Sequence, residues 1–116
     1  MRRVVKVMPG SQCMEIASFE VDDNELSDLF IKANIGTSDG TSYFERTNFY
    51  GIPRIDVLCD EEGKLKNLKP SLQLPNDVIA GDCIIVSLEA STDDGEFGWF
   101  GLNENQFDLV IEKLVF

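Results

Sequence analysis

Six strand-like segments and two helix-like ones follow one another in the order β-β-α-β-β-β-β-α, and this order constrains the fold more than any other feature of the chain. A parallel sheet needs a long crossover, usually a helix, between successive strands, whereas antiparallel strands join through short turns. Strands here succeed one another without intervening helices. The chain is therefore predicted to be a single α+β domain over residues 1–116, with an antiparallel or mixed sheet of about five to six strands covered by two helices. Its 116 residues make a one-domain length, and 43% apolar residues suffice for one core.

The segments are read from local chemistry. "RRVVKVM" and "CMEIASFEV", joined across "PGSQ", predict an N-terminal hairpin. In "VDDNELSDLFIKANIG", Asp22 and Glu25 stand at capping-box spacing, so a helix of about three turns is predicted from there, with Leu26, Leu29, Phe30 and Ala33 inward and Gly36 as its C-terminal cap. "TSYFERTNFY", "IPRIDVLCD" and "CIIVSLEA" are rich in β-branched and aromatic residues and predict strands, the last most strongly. Pro75-Asn76-Asp77 punctuates the stretch before it, Ser38-Asp39-Gly40 marks a turn, and Asp94-Gly95 before "EFGWFGL" predicts a hairpin. Asn103 with Gln106 opens a second helix, with Phe107, Val110, Ile111 and Leu114 as its apolar stripe. Phe30, Val57, Ile84, Val86, Phe107 and Ile111 are expected in the core.

Composition removes several functions. The chain has no histidine, which excludes Ser-His and Cys-His pairs and histidine zinc sites. Cys13, Cys59 and Cys83 are odd in number and widely spaced, so no disulfide framework is expected; Cys59 and Cys83 fall in strands as small hydrophobes. No acidic loop has the spacing of a calcium site, and neither a metal nor another cofactor is expected. No apolar run is long enough to span a membrane, and the segment after the two N-terminal arginines is too short for a signal peptide, so the cytoplasm is the expected location. The net charge of −11 opposes direct nucleic-acid and anionic-lipid binding and favours a protein partner with a basic surface.

The stretch "CDEEGKLKNLKP" over 59–70 holds three acids, a glycine and three lysines. Adjacent Glu61 and Glu62 at a turn tip diverge rather than converge on one substrate atom, and a phosphate loop would need more glycines and a helix start. It is read as scaffold: "EEGKL" is a turn whose charges are solvated and whose Gly63 takes a positive φ.

Several blocks resemble a family of small domains of unknown function found in bacteria, plasmids and phages. Its members run through an N-E-E-G-K-L turn, an I-x-G-x-x-x-V-V strand and an S-L-T-D-E-Q helix start. Here Glu61-Glu62-Gly63-Lys64-Leu65 matches the turn, Gly81 the glycine before the buried strand, and Leu102-Asn103-Glu104-Asn105-Gln106 the helix start; "KVMPG" resembles the family's opening. Asp60 stands where the family has Asn, and Ser71-Leu72 replaces its polar pair. The resemblance implies a mobile-element or phage setting.

Two functions are carried forward. The first is a non-enzymatic accessory protein that binds another protein, for instance an acidic inhibitor of a host defence or nucleic-acid-binding enzyme. Its contact is expected at Asp93, Asp94 and Glu96 on a hairpin tip, with Trp99 and Phe100 as exposed anchors. The alternative is a small-molecule or nucleotide-binding module whose groove is lined by Tyr43, Phe44, Phe49, Tyr50, Trp99 and Phe100.

Overall fold

The computed structural model describes residues 1–36, 43–91 and 95–115. Its elements are β1 (Arg2–Met8), β2 (Glu15–Val21), α1 (Asp28–Ile35), β3 (Phe44–Asn48), β4 (Ile55–Asp60), β5 (Pro70–Leu74), β6 (Asp77–Ala80), β7 (Cys83–Ala90), β8 (Phe97–Phe100) and α2 (Glu104–Val115). The fold is α+β, as the segment order requires. Six strands form one antiparallel sheet in the order β2-β1-β7-β4-β3, with β8 paired to β7. The turn expected at Ser38-Asp39-Gly40 lies outside the described residues.

β7 is the spine. Its residues Cys83–Ile85 pair with β1 and Ser87–Ala90 with β8, while β4 pairs along Cys83–Ser87. Alternate residues of β7 and β4 face opposite layers, and both faces are covered. Val5, Val57, Ile85, Val110 and Leu114 belong to the layer beneath α2 and the β5–β6 hairpin. Val4, Leu58, Ile84 and Val86 pack with Ile31 and Ile35 of α1 in the other. Val57, Ile84 and Val86 are fully buried, as expected. Phe30, Phe107 and Ile111 are half-buried at the rims instead, because each belongs to a helix lying on the sheet's outer surface.

α2 follows its sequence closely. Gln106 N–H donates to Asn103 Oδ1 at 2.8 Å and Asn103 N–H to Gln106 Oε1 at 2.9 Å, the reciprocal pair of a capping box. α1 does not begin where expected. Ser27 is its N-cap, with Oγ accepting from Phe30 N–H at 3.1 Å, and the helix has eight residues. Asp22 instead accepts from Asn24 N–H at 2.9 Å in a local turn, and Leu26 N–H donates to the Trp99 carbonyl at 2.8 Å. That long-range bond holds 22–27 outside the helix and moves its apolar phase: Ile31 and Ile35 face the core, while Leu29 is 80% exposed. Gly36 closes the helix as expected, at φ 82° with its N–H on the Lys32 carbonyl.

Residues 61–69 carry the chain out of the main sheet into β5 and β6, which pair as a separate two-stranded sheet unmarked in the segment order except by its punctuating turn. This passage is a wound turn, with Lys66 N–H on the Glu62 carbonyl at 3.0 Å and Leu68 N–H on the Gly63 carbonyl at 3.2 Å. One expectation for it is corrected. Gly63 is not among the positive-φ residues; Asn67 is, at φ 54°. Glycine is required at 63 because a Cβ there would stand 2.6 Å from the Ala80 carbonyl oxygen. The charges of Glu61, Glu62 and Lys64 are exposed, as expected, with Lys64 Nζ reaching Asp77 at 2.6 Å. Just outside the turn the Asp60 side chain is 2% exposed and accepts from Lys66 Nζ at 2.8 Å.

Candidate partner-binding surface

The β7–β8 hairpin carries the sequence-predicted contact residues. Its strands pair in the register Ser87↔Phe100, Leu88↔Trp99, Glu89↔Gly98 and Ala90↔Phe97, and Ser91 N–H donates to the Glu96 carbonyl at 2.5 Å. Asp93 and Asp94 lie outside the described residues. Glu96 is exposed beside the tip.

The two expected aromatic anchors are turned into the fold. Trp99 is half-buried: its ring meets Phe44 edge-on at 5.4 Å, and its indole N–H donates to Asp56 Oδ2 at 3.4 Å. Phe100 is 8% exposed, with the Arg2 guanidinium 5.6 Å above its ring. The exposed ring is Phe97, 64% accessible, which shares Trp99's side of β8 but lies nearer the tip, beyond the edge of the core. "FGWF" shows three aromatics to a reader of the sequence but not which of them the layers cover.

Beneath the hairpin lies a polar network assembled from three distant segments. Arg2 grips Glu89 with both terminal nitrogens, Nη2 to Oε1 at 3.0 Å, and donates to the Gly101 carbonyl at 3.0 Å. Ser87 Oγ donates to Glu89 at 2.8 Å and accepts from Gln106 Nε2 at 2.8 Å. Gln106 is also half of α2's capping box, so β1, β7 and α2 are tied together below the tip. Sequence reasoning did not find this network, because Arg2 and Glu89 are 87 residues apart.

The Arg2 hydrogen bond holds the Glu89 carboxyl below its ordinary 4.5, against desolvation and with help from the Ser87 hydroxyl. A carboxyl whose folded pKa lies below its unfolded value adds stability above the unfolded value and loses it as pH falls through the folded one. The thermal midpoint should therefore drop on acidification below about pH 5, and Glu89→Gln should drop less steeply over that window. Equal slopes for the two proteins in melts followed by circular dichroism would remove Glu89 from the acid response.

Asp56 of β4, a buried carboxylate, is 1% exposed and is met by Arg46 Nε at 3.2 Å as well as by Trp99. The two buried thiols serve packing. Cys59 and Cys83 are cross-strand neighbours on β4 and β7. Burial pushes their pKa values up to about 11 and about 12, which leaves them protonated at neutral pH.

The six aromatics of the alternative groove do not converge. Phe49 is buried in the layer beneath α2. Tyr50 packs beside it, rings 4.9 Å apart, with its hydroxyl on the Gln73 carbonyl at 2.7 Å. Phe44 and Trp99 lie in the α1 layer on the opposite face, and Tyr43 is 70% exposed. Among the described residues no group of acids and cysteines gathers to hold a metal, and no helix is long and apolar enough to cross a membrane.

The fold is thus an antiparallel α+β sheet with a helix on one face, a helix and a hairpin on the other, and a β7–β8 hairpin on which Glu96 is exposed. Comparison of the chain with protein-family models, with curated proteins and with solved structures finds no match.

Proposed function

We propose that this protein is a non-enzymatic accessory protein, of the phage or plasmid setting its sequence blocks resemble, which acts by binding a protein partner with a basic surface. The observation that carries this reading is that the charge of −11 is borne outward: Asp22, Asp23, Glu61, Glu96, Glu104, Asp108 and Glu112 are all exposed. In its concrete form, carboxylates around the β7–β8 tip stand in for phosphates before the basic channel of a host defence or nucleic-acid-binding enzyme, and Phe97 supplies the apolar anchor.

The test is capture from host lysate on the immobilised protein at about 0.1 M salt, where charges act over about 10 Å, followed by titration of the captured partner. Its association should weaken at least about tenfold on raising salt to about 0.5 M, and reversal of Asp93 and Asp94 to lysine should weaken it more than reversal of Glu61. A stoichiometric partner indifferent to salt and to every reversal would reduce the acids to a solubility role. A co-purifying small molecule in place of a protein would overturn the reading.

A further inference from the structure

β2 is the outermost strand of the main sheet, and among the described residues no backbone group pairs with its outer edge. It pairs with β1 residue for residue over all seven positions, without a bulge. Its sequence, EIASFEV, contains neither lysine nor proline. Natural sheets blunt such an edge with short length, Lys, Pro or a bulge, since a row of unpaired N–H and C=O groups is a template for another strand. β3, at the opposite edge, is shorter, five residues, and carries Glu45 and Arg46. β2 has none of these devices except two glutamates, Glu15 and Glu20, one on each face.

Those glutamates decide which strand fits. A second copy would bring its own Glu15 and Glu20 to the same edge, on a body that already carries −11. A basic segment gains from them instead. At the end of β2 a hollow of about 410 Å³ is lined by Met1, Glu20, Val21, Asp22 and Asp23. Arg2 approaches this group only at Asp23, with Nε 3.8 Å from a carboxylate that is 80% exposed. Ile16, 39% exposed on one face, and half-buried Phe19 on the other offer apolar contact between the charges.

We propose that the outer edge of β2 takes an extended, basic segment of another protein as a further strand of the main sheet. Backbone bonds supply the affinity. Lysine or arginine opposite Glu15 and Glu20, with one such side chain entering the acidic hollow, supplies the selectivity. The edge is a different surface from the β7–β8 tip, and its occupancy does not depend on the function proposed for that tip.

The test uses the full chain, ¹⁵N-labelled, with an acetylated, amidated nine-residue peptide of alternating lysine and valine. Two comparison peptides are the same sequence N-methylated at alternate backbone nitrogens and its glutamate-for-lysine counterpart. The basic peptide should slow exchange of alternate β2 amides at least about tenfold, whereas the N-methylated and acidic peptides should not. Glu15→Lys with Glu20→Lys should weaken the basic peptide at least about tenfold, while exchange of β1 and β7 amides, unchanged, shows the sheet intact. Reversal of Glu96 should leave peptide binding unaltered, which separates failure here from failure of the tip. Absence of β2 protection on the unmodified chain overturns the proposal whatever the variants do. So does equal binding of the N-methylated peptide, which would mean diffuse charge attraction, and so does β2 protection that grows with protein concentration alone, which would assign the edge to a second copy.

Discussion

Ile84→Ala and Ile85→Ala should each lower the unfolding free energy by about 2–5 kcal/mol, with the midpoint in urea falling and its slope unchanged. Both side chains are fully buried, yet they are adjacent on β7 and serve opposite layers. Ile84 packs with Ile31 and Ile35 of α1, and Ile85 with Val5, Val57 and Val110. Each truncation deletes apolar contact and leaves a cavity in a layer that β-sheet hydrogen bonding on both sides of β7 prevents from collapsing. Since a domain's whole stability is about 5–15 kcal/mol, the double variant should lose a large share of it and unfold at a much lower urea concentration than either single variant. The two single variants test the layers separately. A cost below about 0.5 kcal/mol for Ile84→Ala, beside a full cost for Ile85→Ala, would mean that α1 covers the sheet without packing against it.

Gly63→Ala should cost about 1–3 kcal/mol, the range for forcing an atom into a packed site. The added Cβ would stand 2.6 Å from the Ala80 carbonyl oxygen and 3.3 Å from that of Asp60, and both are backbone atoms that cannot rotate away. Relief requires β6 to move from the turn, which disturbs the Lys64–Asp77 pair that joins them. Glu61→Ala, at the same exposed turn, should change stability by less than about 0.5 kcal/mol. Urea denaturation of both variants gives the comparison. A neutral Gly63→Ala would contradict the close approach of the turn to β6, and a costly Glu61→Ala would contradict the solvated position of Glu61.

The run of strands without crossovers indicated an α+β domain with an antiparallel or mixed sheet, because short connections join antiparallel neighbours. That every pairing of the main sheet is antiparallel was decided by the strand order. Asn103 and Gln106 determined the start of α2, and Gly36 the end of α1, since capping involves atoms within a few residues of one another. The β-branched run at 84–86 marked the strongest strand of the chain, though not that both of its faces are covered.

The tertiary structure decided everything that depends on an atom far along the chain. Asp22 and Glu25 have the spacing of a cap, but the Trp99 carbonyl takes the Leu26 N–H and the helix begins at Ser27's cap instead. Gly63 is needed not for its own φ but for the passage of Ala80. The aromatics that look like one cluster in sequence divide between opposite faces of a sheet. In "FGWF", Trp99 and Phe100 are covered by Phe44 and Arg2 while Phe97 is left outside. The free edge of β2 is legible only once the order β2-β1-β7 is known. The physical reason is common to all of these. Propensity, capping and turn chemistry act over about four residues, while packing and strand order are set by contacts whose partners the local sequence does not name.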